Sequence, residues 1–153
     1  MNKLDFKIMA DYSDTVREST LKRLKIVPEG KENFRLNEKS MSIADIANHL
    51  IDCDKSLIKI LVTKNKNKNL GKASNILIRN RKEFARLLRE LEVLKIERKK
   101  FILSLDNENM KEKVKVDSIS GMKEEQIGLL IYKMLDHEAH HRGQLVILLK
   151  LIL

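Results

Sequence analysis

Residues that interrupt helices are scarce in this 153-residue chain, which contains only one proline and five glycines. Proline and glycine are the strongest local breakers of regular structure, so long and uninterrupted helices are expected. Strong strand patterns are also few. Hydrophobic residues make up 42% of the sequence, which is enough for one compact core at this length. The composition therefore predicts an all-α fold, and we expect a single domain over residues 1–153.

Cysteine and aromatic residues are also rare, and both shortages exclude functions. The single cysteine, Cys53, excludes a disulfide within the chain, and residues 1–10 show no secretory signal, so a reducing cytoplasm is expected. The net charge of +9 would suit a nucleic acid, but the lysines are scattered, and four phenylalanines and two tyrosines offer little surface for base stacking. The final apolar run, residues 143–153, is too short for a membrane span. We expect neither a specific nucleic acid nor a membrane as partner.

Hydrophobic periodicity divides the chain into four amphipathic helices. Ser42 and Asp45 form a variant of the capping box and mark the start of the second helix. Glu124 and Glu125 favour the start of the last helix, because acidic side chains stabilise the positive end of the helix dipole. The predicted helices cover about residues 5–26, 42–62, 75–105 or 80–105, and 122–153.

The connections between these helices differ in character. Residues 31–40 are polar and irregular, with Phe34 and Leu36 as expected apolar anchors. Residues 64–71 form a tract rich in lysine and asparagine that we interpret as a mobile, solvated loop, although its charge could attract an acidic ligand. Residues 106–121 contain a short period-2 alternation of apolar and polar residues, which indicates an extended segment. The sequence thus predicts a four-helix bundle with a short extended crossover before the last helix.

Three of the four histidines fall within five residues, at His137, His140 and His141. His137 and His141 lie on an apolar stripe of the last helix, about 40° apart around its axis and about 6 Å apart along it. A single buried histidine is usually structural and bonds a carbonyl group or a water. Two on one stripe favour another explanation, because burying both imidazoles among leucines is costly unless something coordinates them. The sequence therefore predicts that both bind one metal ion.

His49 takes an equivalent position on the second helix, where it replaces an apolar residue in the core-facing stripe. If the two helices pack side by side, His49, His137 and His141 form a three-histidine set that suits Zn²⁺ or Ni²⁺ and leaves coordination positions open for water. His140 lies beside the stripe and receives no ligand role. Cys53, one turn after His49, is the nearest candidate for a fourth ligand, but packing in the core is the favoured interpretation.

The segment His137-Glu138-x-x-His141 also matches the HExxH pattern of zinc proteases. Those enzymes usually take their third ligand downstream, and the residues after His141 include no histidine and no carboxylate side chain. The protease interpretation is therefore disfavoured. Glu138 is a candidate general base, but it lies about 100° away from His137 around the helix. A solvated surface glutamate is the simpler interpretation.

These motifs resemble the DinB family, the DNA-damage-inducible and YfiT-like metalloproteins. The matching segments are Ser-Ile-x-x-Ile-x-x-His49 and His137-Glu138-x-His140-His141-Arg142-Gly143-Gln144, and the resemblance spans nearly the whole chain. It implies a four-helix bundle of the DinB/YfiT type, commonly dimeric, with a divalent ion held by His49, His137 and His141. A tryptophan is common in that family before the second helix. Here Phe34 or nothing takes that place, which affects any pocket wall built by the tryptophan.

The resemblance also implies a class of function. Related proteins include metal-dependent hydrolases, and transferases or isomerases that use low-molecular-weight thiols such as bacillithiol or mycothiol. We therefore expect a small-molecule substrate at an open three-histidine site, in a homodimer. The alternative is a non-catalytic metal-binding protein of the stress or DNA-damage response, whose ion stabilises the bundle or senses metal.

Overall fold

The computed structural model describes residues 3–63, 75–118 and 121–153. Within these ranges the chain forms four long helices, one short helix and one antiparallel pair of strands. In chain order the elements are α1 (Lys3–Lys25), α2 (Ile43–Thr63), α3 (Arg81–Ser104), α4 (Asn107–Lys111), β1 (Lys113–Ser118), β2 (Gly121–Gln126) and α5 (Ile127–Ile152). The predicted all-α bundle is confirmed. Among the described helices, no segment combines the length and the hydrophobicity that a membrane span requires.

The four long helices form the bundle. α1 packs against α3 and α5, and α2 packs against the same two helices. The helices that carry the histidines, α2 and α5, are therefore neighbours. α2 begins as predicted: Ser42 Oγ accepts a hydrogen bond from the Asp45 amide (3.0 Å), and Asp45 Oδ2 accepts one from the Ser42 amide (2.8 Å). This reciprocal capping satisfies two amides that the helix itself leaves unpaired.

The crossover between α3 and α5 is more structured than the sequence predicted. It consists of α4 followed by a β-hairpin. Val114 and Val116 of β1 are buried against the bundle, as their period-2 spacing indicates. β2 pairs antiparallel with β1 and begins at Gly121, whose φ of +98° a glycine adopts without steric cost. The extended crossover is thus a short helix and two paired strands.

The last helix begins later than expected. Glu124 and Glu125 lie in β2, and α5 begins at Ile127, so the predicted start at residues 122–125 is wrong. The backbone of β2 is hydrogen-bonded to β1, which overrides the helical preference of these residues. Lys133 of α5 donates a hydrogen bond to the Glu125 carboxylate (2.5 Å), so this glutamate binds a lysine across the strand-to-helix junction.

The connection between α1 and α2 lies against the segment that precedes α3. Asn33 pairs with the backbone of Ile78: its Nδ2 donates to the Ile78 carbonyl (2.7 Å) and its Oδ1 accepts from the Ile78 amide (2.9 Å). Phe34 packs against the core as predicted. Leu36 is 59% exposed, so its predicted role as an anchor is wrong. The tract at residues 64–71 lies outside the described residues.

Two apolar clusters, one towards each end of the bundle, form the core. The first contains residues from the C-terminal parts of α1 and α5 and from the N-terminal parts of α2 and α3. The second contains the opposite parts of these helices and β1. Between the clusters each long helix contributes one charged residue that is at most 2% exposed. We call this set the central charge layer: Arg17 of α1, Asp54 of α2, Arg98 of α3 and Glu138 of α5.

The central charge layer is a neutral network of two guanidinium groups and two carboxylates. Arg17 Nε donates to Glu138 Oε1 (2.7 Å), and Arg17 Nη2 donates to Asp54 Oδ2 (2.8 Å). Arg98 Nη1 donates to Glu138 Oε2 (2.7 Å), and its Nη2 donates to the Ser13 carbonyl (2.8 Å). Glu138 is 1% exposed, so the expectation of a solvated surface glutamate is wrong.

The layer also sets the charge state of its members. Burial on its own would raise the pKa of Glu138, but the charges and hydrogen bonds of Arg17 and Arg98 outweigh it and lower the pKa to about 2. Burial on its own would lower the pKa of Arg17, but Asp54 and Glu138 outweigh it and raise the pKa. Glu138 and Arg17 are therefore both ionised at neutral pH.

We predict that Arg17→Met strongly destabilises the metal-free protein. The substitution leaves Asp54 and Glu138 buried with only Arg98 as a cationic partner, which should lower the free energy of unfolding by about 3–5 kcal/mol. Urea unfolding in the presence of a chelator measures it. Lys25→Met, which removes the solvent-exposed ion pair with Glu92, is the control and should cost no more than about 1 kcal/mol. Equal losses in the two variants would contradict the role of the layer.

Candidate metal centre

The structure brings the three histidines of the predicted set together between α2 and α5. His137 Nε2 lies 3.2 Å from His49 Nε2 and 3.0 Å from His141 Nε2. The centroids of the His49 and His141 rings are 4.8 Å apart, so the three imidazoles form one cluster in which His137 contacts the other two. His49 and His141 are buried, and His137 is half-buried. The spacing of four residues on α5 therefore places the His137 and His141 rings side by side.

These distances fit nitrogen ligands around one ion. A Zn–N bond of about 2.0–2.1 Å places two nitrogens about 3.3 Å apart at tetrahedral angles and about 2.9 Å apart at right angles. The observed separations of 3.0 and 3.2 Å fall between these values. Hydrogen bonding between rings explains only one of the two contacts, because His137 Nε2 carries at most one proton or one lone pair. The donor set suits a divalent ion that prefers imidazole, such as Zn²⁺ or Ni²⁺.

The three imidazoles are neutral near pH 7 because the fold lowers their pKa values. For His141, burial is the main cause and His137 and His140 contribute; the bond to Gln144 opposes them, and the pKa falls to about 4. Burial, followed by His141, lowers the pKa of His49. Burial, followed by His49 and His140, lowers the pKa of His137. Neutral imidazole is the form that binds a metal, so the site is in its ligating state at neutral pH.

Gln144 orients the His141 ring, and this contact was not predicted from the sequence. Gln144 Oε1 lies 2.7 Å from His141 Nδ1, and a proton on Nδ1 directs the lone pair of Nε2 towards His137. The Gln144 amide nitrogen lies 3.1 Å from Nε2 of the exposed His140. His140 therefore contacts the site through Gln144 and lies outside the group of three rings. The spacings of three and four residues on one helix are the signal from which these contacts follow.

Cys53 also belongs to this part of the molecule. Its Sγ lies 3.6 Å from His49 Nε2, and donor atoms of Cys53, His49 and His137 all lie within 4.8 Å of one another. The side chain is half-buried and is not a member of either apolar cluster. Its interpretation as a packing residue stays a prediction, because a half-buried thiol beside a histidine is compatible with packing as well as with coordination.

Glu138 is poorly suited to act as a general base. Its two carboxylate oxygens accept hydrogen bonds from Arg17 and Arg98, and these contacts lower its pKa to about 2. A carboxylate with so low a pKa binds a proton too weakly at neutral pH to act as a general base. The geometry also argues against the HExxH protease interpretation, since the glutamate of that motif must reach a metal-bound water.

Comparison with known proteins identifies the family. The model of the DinB family matches residues 1–152, and the chain belongs to that family. A DinB-like protein from Bacillus subtilis superposes with a TM-score of 0.70 at 12% identity, over 94% of this chain and 91% of the other. A DinB-like protein from Bacillus cereus superposes with a TM-score of 0.58 at 15% identity, over 90% of this chain and 85% of the other. At these identities the structures show a shared fold. A search of curated protein sequences found no relative.

We predict that acid destabilises the metal-free protein through these histidines. Their pKa values in the folded state lie below the ordinary value of 6.5, so the unfolded chain binds more protons at lower pH. The free energy of unfolding should therefore fall as pH drops from about 6.5 towards about 4. Thermal midpoints of the parent and of His141→Gln, measured in chelator between about pH 7.5 and about pH 4.5, test this. The thermal midpoint of the variant should fall less than that of the parent as pH drops. Parallel curves of midpoint against pH would contradict the lowered histidine pKa values.

We also predict that Gln144→Leu weakens metal binding by about 10-fold to 100-fold, because the variant no longer fixes the tautomer and orientation of the His141 ring. Titration with Zn²⁺ against a chelating indicator measures the dissociation constant. His140→Ala is the matched control, since it removes the other partner of Gln144 and leaves the amide oxygen bonded to His141. Equal affinities of the parent and Gln144→Leu would exclude the orienting role.

Proposed function

We propose that His49, His137 and His141 hold one divalent ion at which this protein works as a metal-dependent hydrolase or a thiol-dependent transferase. The observation that carries the proposal is the convergence of three neutral imidazoles from two neighbouring helices on one point. Membership of the DinB family and the clustered donor atoms fit a metal-binding protein. When bound, such an ion lowers the pKa of a coordinated water or thiol towards neutrality.

The burial of the three rings supports access from one side. His49 and His141 are 3% and 5% exposed, whereas His137 is half-buried, so His137 is the ring of the three that a small molecule would reach first from solvent. Because two arginines hold the Glu138 carboxylate, Glu138 would not accept a proton at the site, and a water or thiol bound there would have to lose its proton to solvent or to the substrate. A low-molecular-weight thiol or a small hydrolysable substrate suits this site.

We propose, in addition, the homodimer and the cytoplasmic location that the sequence predicts.

A non-catalytic metal-binding function is the second candidate, and the position of Cys53 favours it. Structural zinc sites are closed by a fourth protein ligand, and the Cys53 thiol lies within the donor cluster. A closed site would stabilise the bundle or sense metal, as expected of a stress-response protein.

Metal content of purified variants tests the three-histidine site. His49→Ala, His137→Ala and His141→Ala should each lose most of the bound Zn²⁺ or Ni²⁺, because two imidazoles and open water positions bind far more weakly than three. His140→Ala should keep it, because this exposed ring lies outside the group. Elemental analysis after dialysis against trace metal measures the content. Equal depletion in His140→Ala and His141→Ala would show that the ligand set is wrong.

Turnover then separates the two candidate functions. The metal-loaded protein is assayed with esters and amides, and with thiols paired with electrophiles, beside His49→Ala as a metal-free control. Activity that requires the metal and His49 supports the enzyme. Full metal occupancy without turnover of either substrate class favours the non-catalytic protein.

A further inference from the structure

Each of the two helices at the metal centre presents a pair of donor residues one turn apart. α5 supplies His137 and His141, and α2 supplies His49 and Cys53, so both pairs have a spacing of four residues. Such pairs lie on one face of a helix with their side chains adjacent. Because α2 and α5 are neighbours, the two pairs face the same space between them. The sulfur of Cys53 is therefore a donor atom close to the histidine nitrogens.

The Cys53 sulfur lies within reach of an ion bound to His49. A Zn–S bond of about 2.3 Å and a Zn–N bond of about 2.0–2.1 Å place sulfur and nitrogen about 3.6 Å apart at the tetrahedral angle. Cys53 Sγ lies 3.6 Å from His49 Nε2 and 3.9 Å from His49 Nδ1, so the sulfur lies beside the ring, and the Cys53 side chain must rotate to share an ion on Nε2. The Sγ atom, a ring nitrogen of His49 and one of His137 all lie within 4.8 Å of one another. His141 is not in that group, and it joins the centre through His137, whose Nε2 lies 3.0 Å from His141 Nε2.

We propose that Cys53 is a ligand of the same ion as the three histidines, so that the substrate-free centre has three nitrogens and one sulfur. On binding, the thiol loses its proton to solvent and a metal–sulfur bond forms in its place. The inference rests on the proposed three-histidine site. It adds that thiolate favours Zn²⁺, Co²⁺ and Ni²⁺ over Mg²⁺ and Mn²⁺. It also requires an external thiol or water to displace Cys53 or to add as a fifth ligand.

Cobalt substitution tests the inference without an assay of activity. A thiolate bound to Co²⁺ gives a ligand-to-metal charge-transfer band in the near ultraviolet that imidazole ligands do not give. Cys53 is the only cysteine of the chain, so with a phosphine in place of thiol reductants such a band reports this residue. The parent and the His140→Ala control should show the band. Cys53→Ser and Cys53→Ala should lack it, still bind Co²⁺ through the histidines, and bind at least about 10-fold more weakly.

The outcomes separate the two proposals. One equivalent of Co²⁺ bound by the parent without the band, at an affinity unchanged in Cys53→Ala, would overturn the fourth ligand and leave the three-histidine site standing. A parent that binds no Co²⁺, Zn²⁺ or Ni²⁺ would overturn both. A band that persists at full intensity in His137→Ala would mean that the thiolate binds cobalt apart from the histidines, which also contradicts the inference. Circular dichroism of each variant, matched to the parent, confirms that the helices are intact.

Discussion

The buried network of Arg17, Asp54, Arg98 and Glu138 is the constraint on which the arrangement of the bundle depends. Each of the four long helices contributes one of these charges, and the apolar core is divided on either side of them. Burying a charge without a partner is far more costly than burying an apolar residue. Sliding one helix by a turn, about 5.4 Å, would separate its charge from the others. We infer that the network fixes the register of the four helices.

The metal centre depends on that register. Glu138 directly follows His137 and precedes His141 by three residues, and Asp54 directly follows Cys53 on α2. The register in which Arg17 joins Asp54 to Glu138 is therefore also the register in which the donor atoms of α2 and α5 meet. The same side-chain network removes Glu138 from the chemistry, because its carboxylate is fully engaged. The fold thus uses the conspicuous HExxH-like segment for one structural glutamate and two clustered imidazoles.

The sequence was sufficient for features that repeat along one helix and insufficient for those that depend on distant partners. Helical periodicity predicted the bundle and the approach of His49 to His137 and His141. The burial of Glu138 could not be predicted in this way, because Arg17 lies 121 residues away and Arg98 lies 40 residues away. The strand β2 was missed for the same reason: its residues favour a helix locally, and only pairing with β1 makes them a strand.

The central claim is that His49, His137 and His141 bind one ion between α2 and α5. Anomalous diffraction from crystals of the Zn²⁺-loaded or Ni²⁺-loaded protein, recorded on both sides of the metal absorption edge, tests it most directly. We predict one strong anomalous peak about 2.0–2.1 Å from Nε2 of each of the three rings. Full metal loading with no peak among these rings, or with the peak bound by His140 and surface carboxylates instead, would contradict the claim.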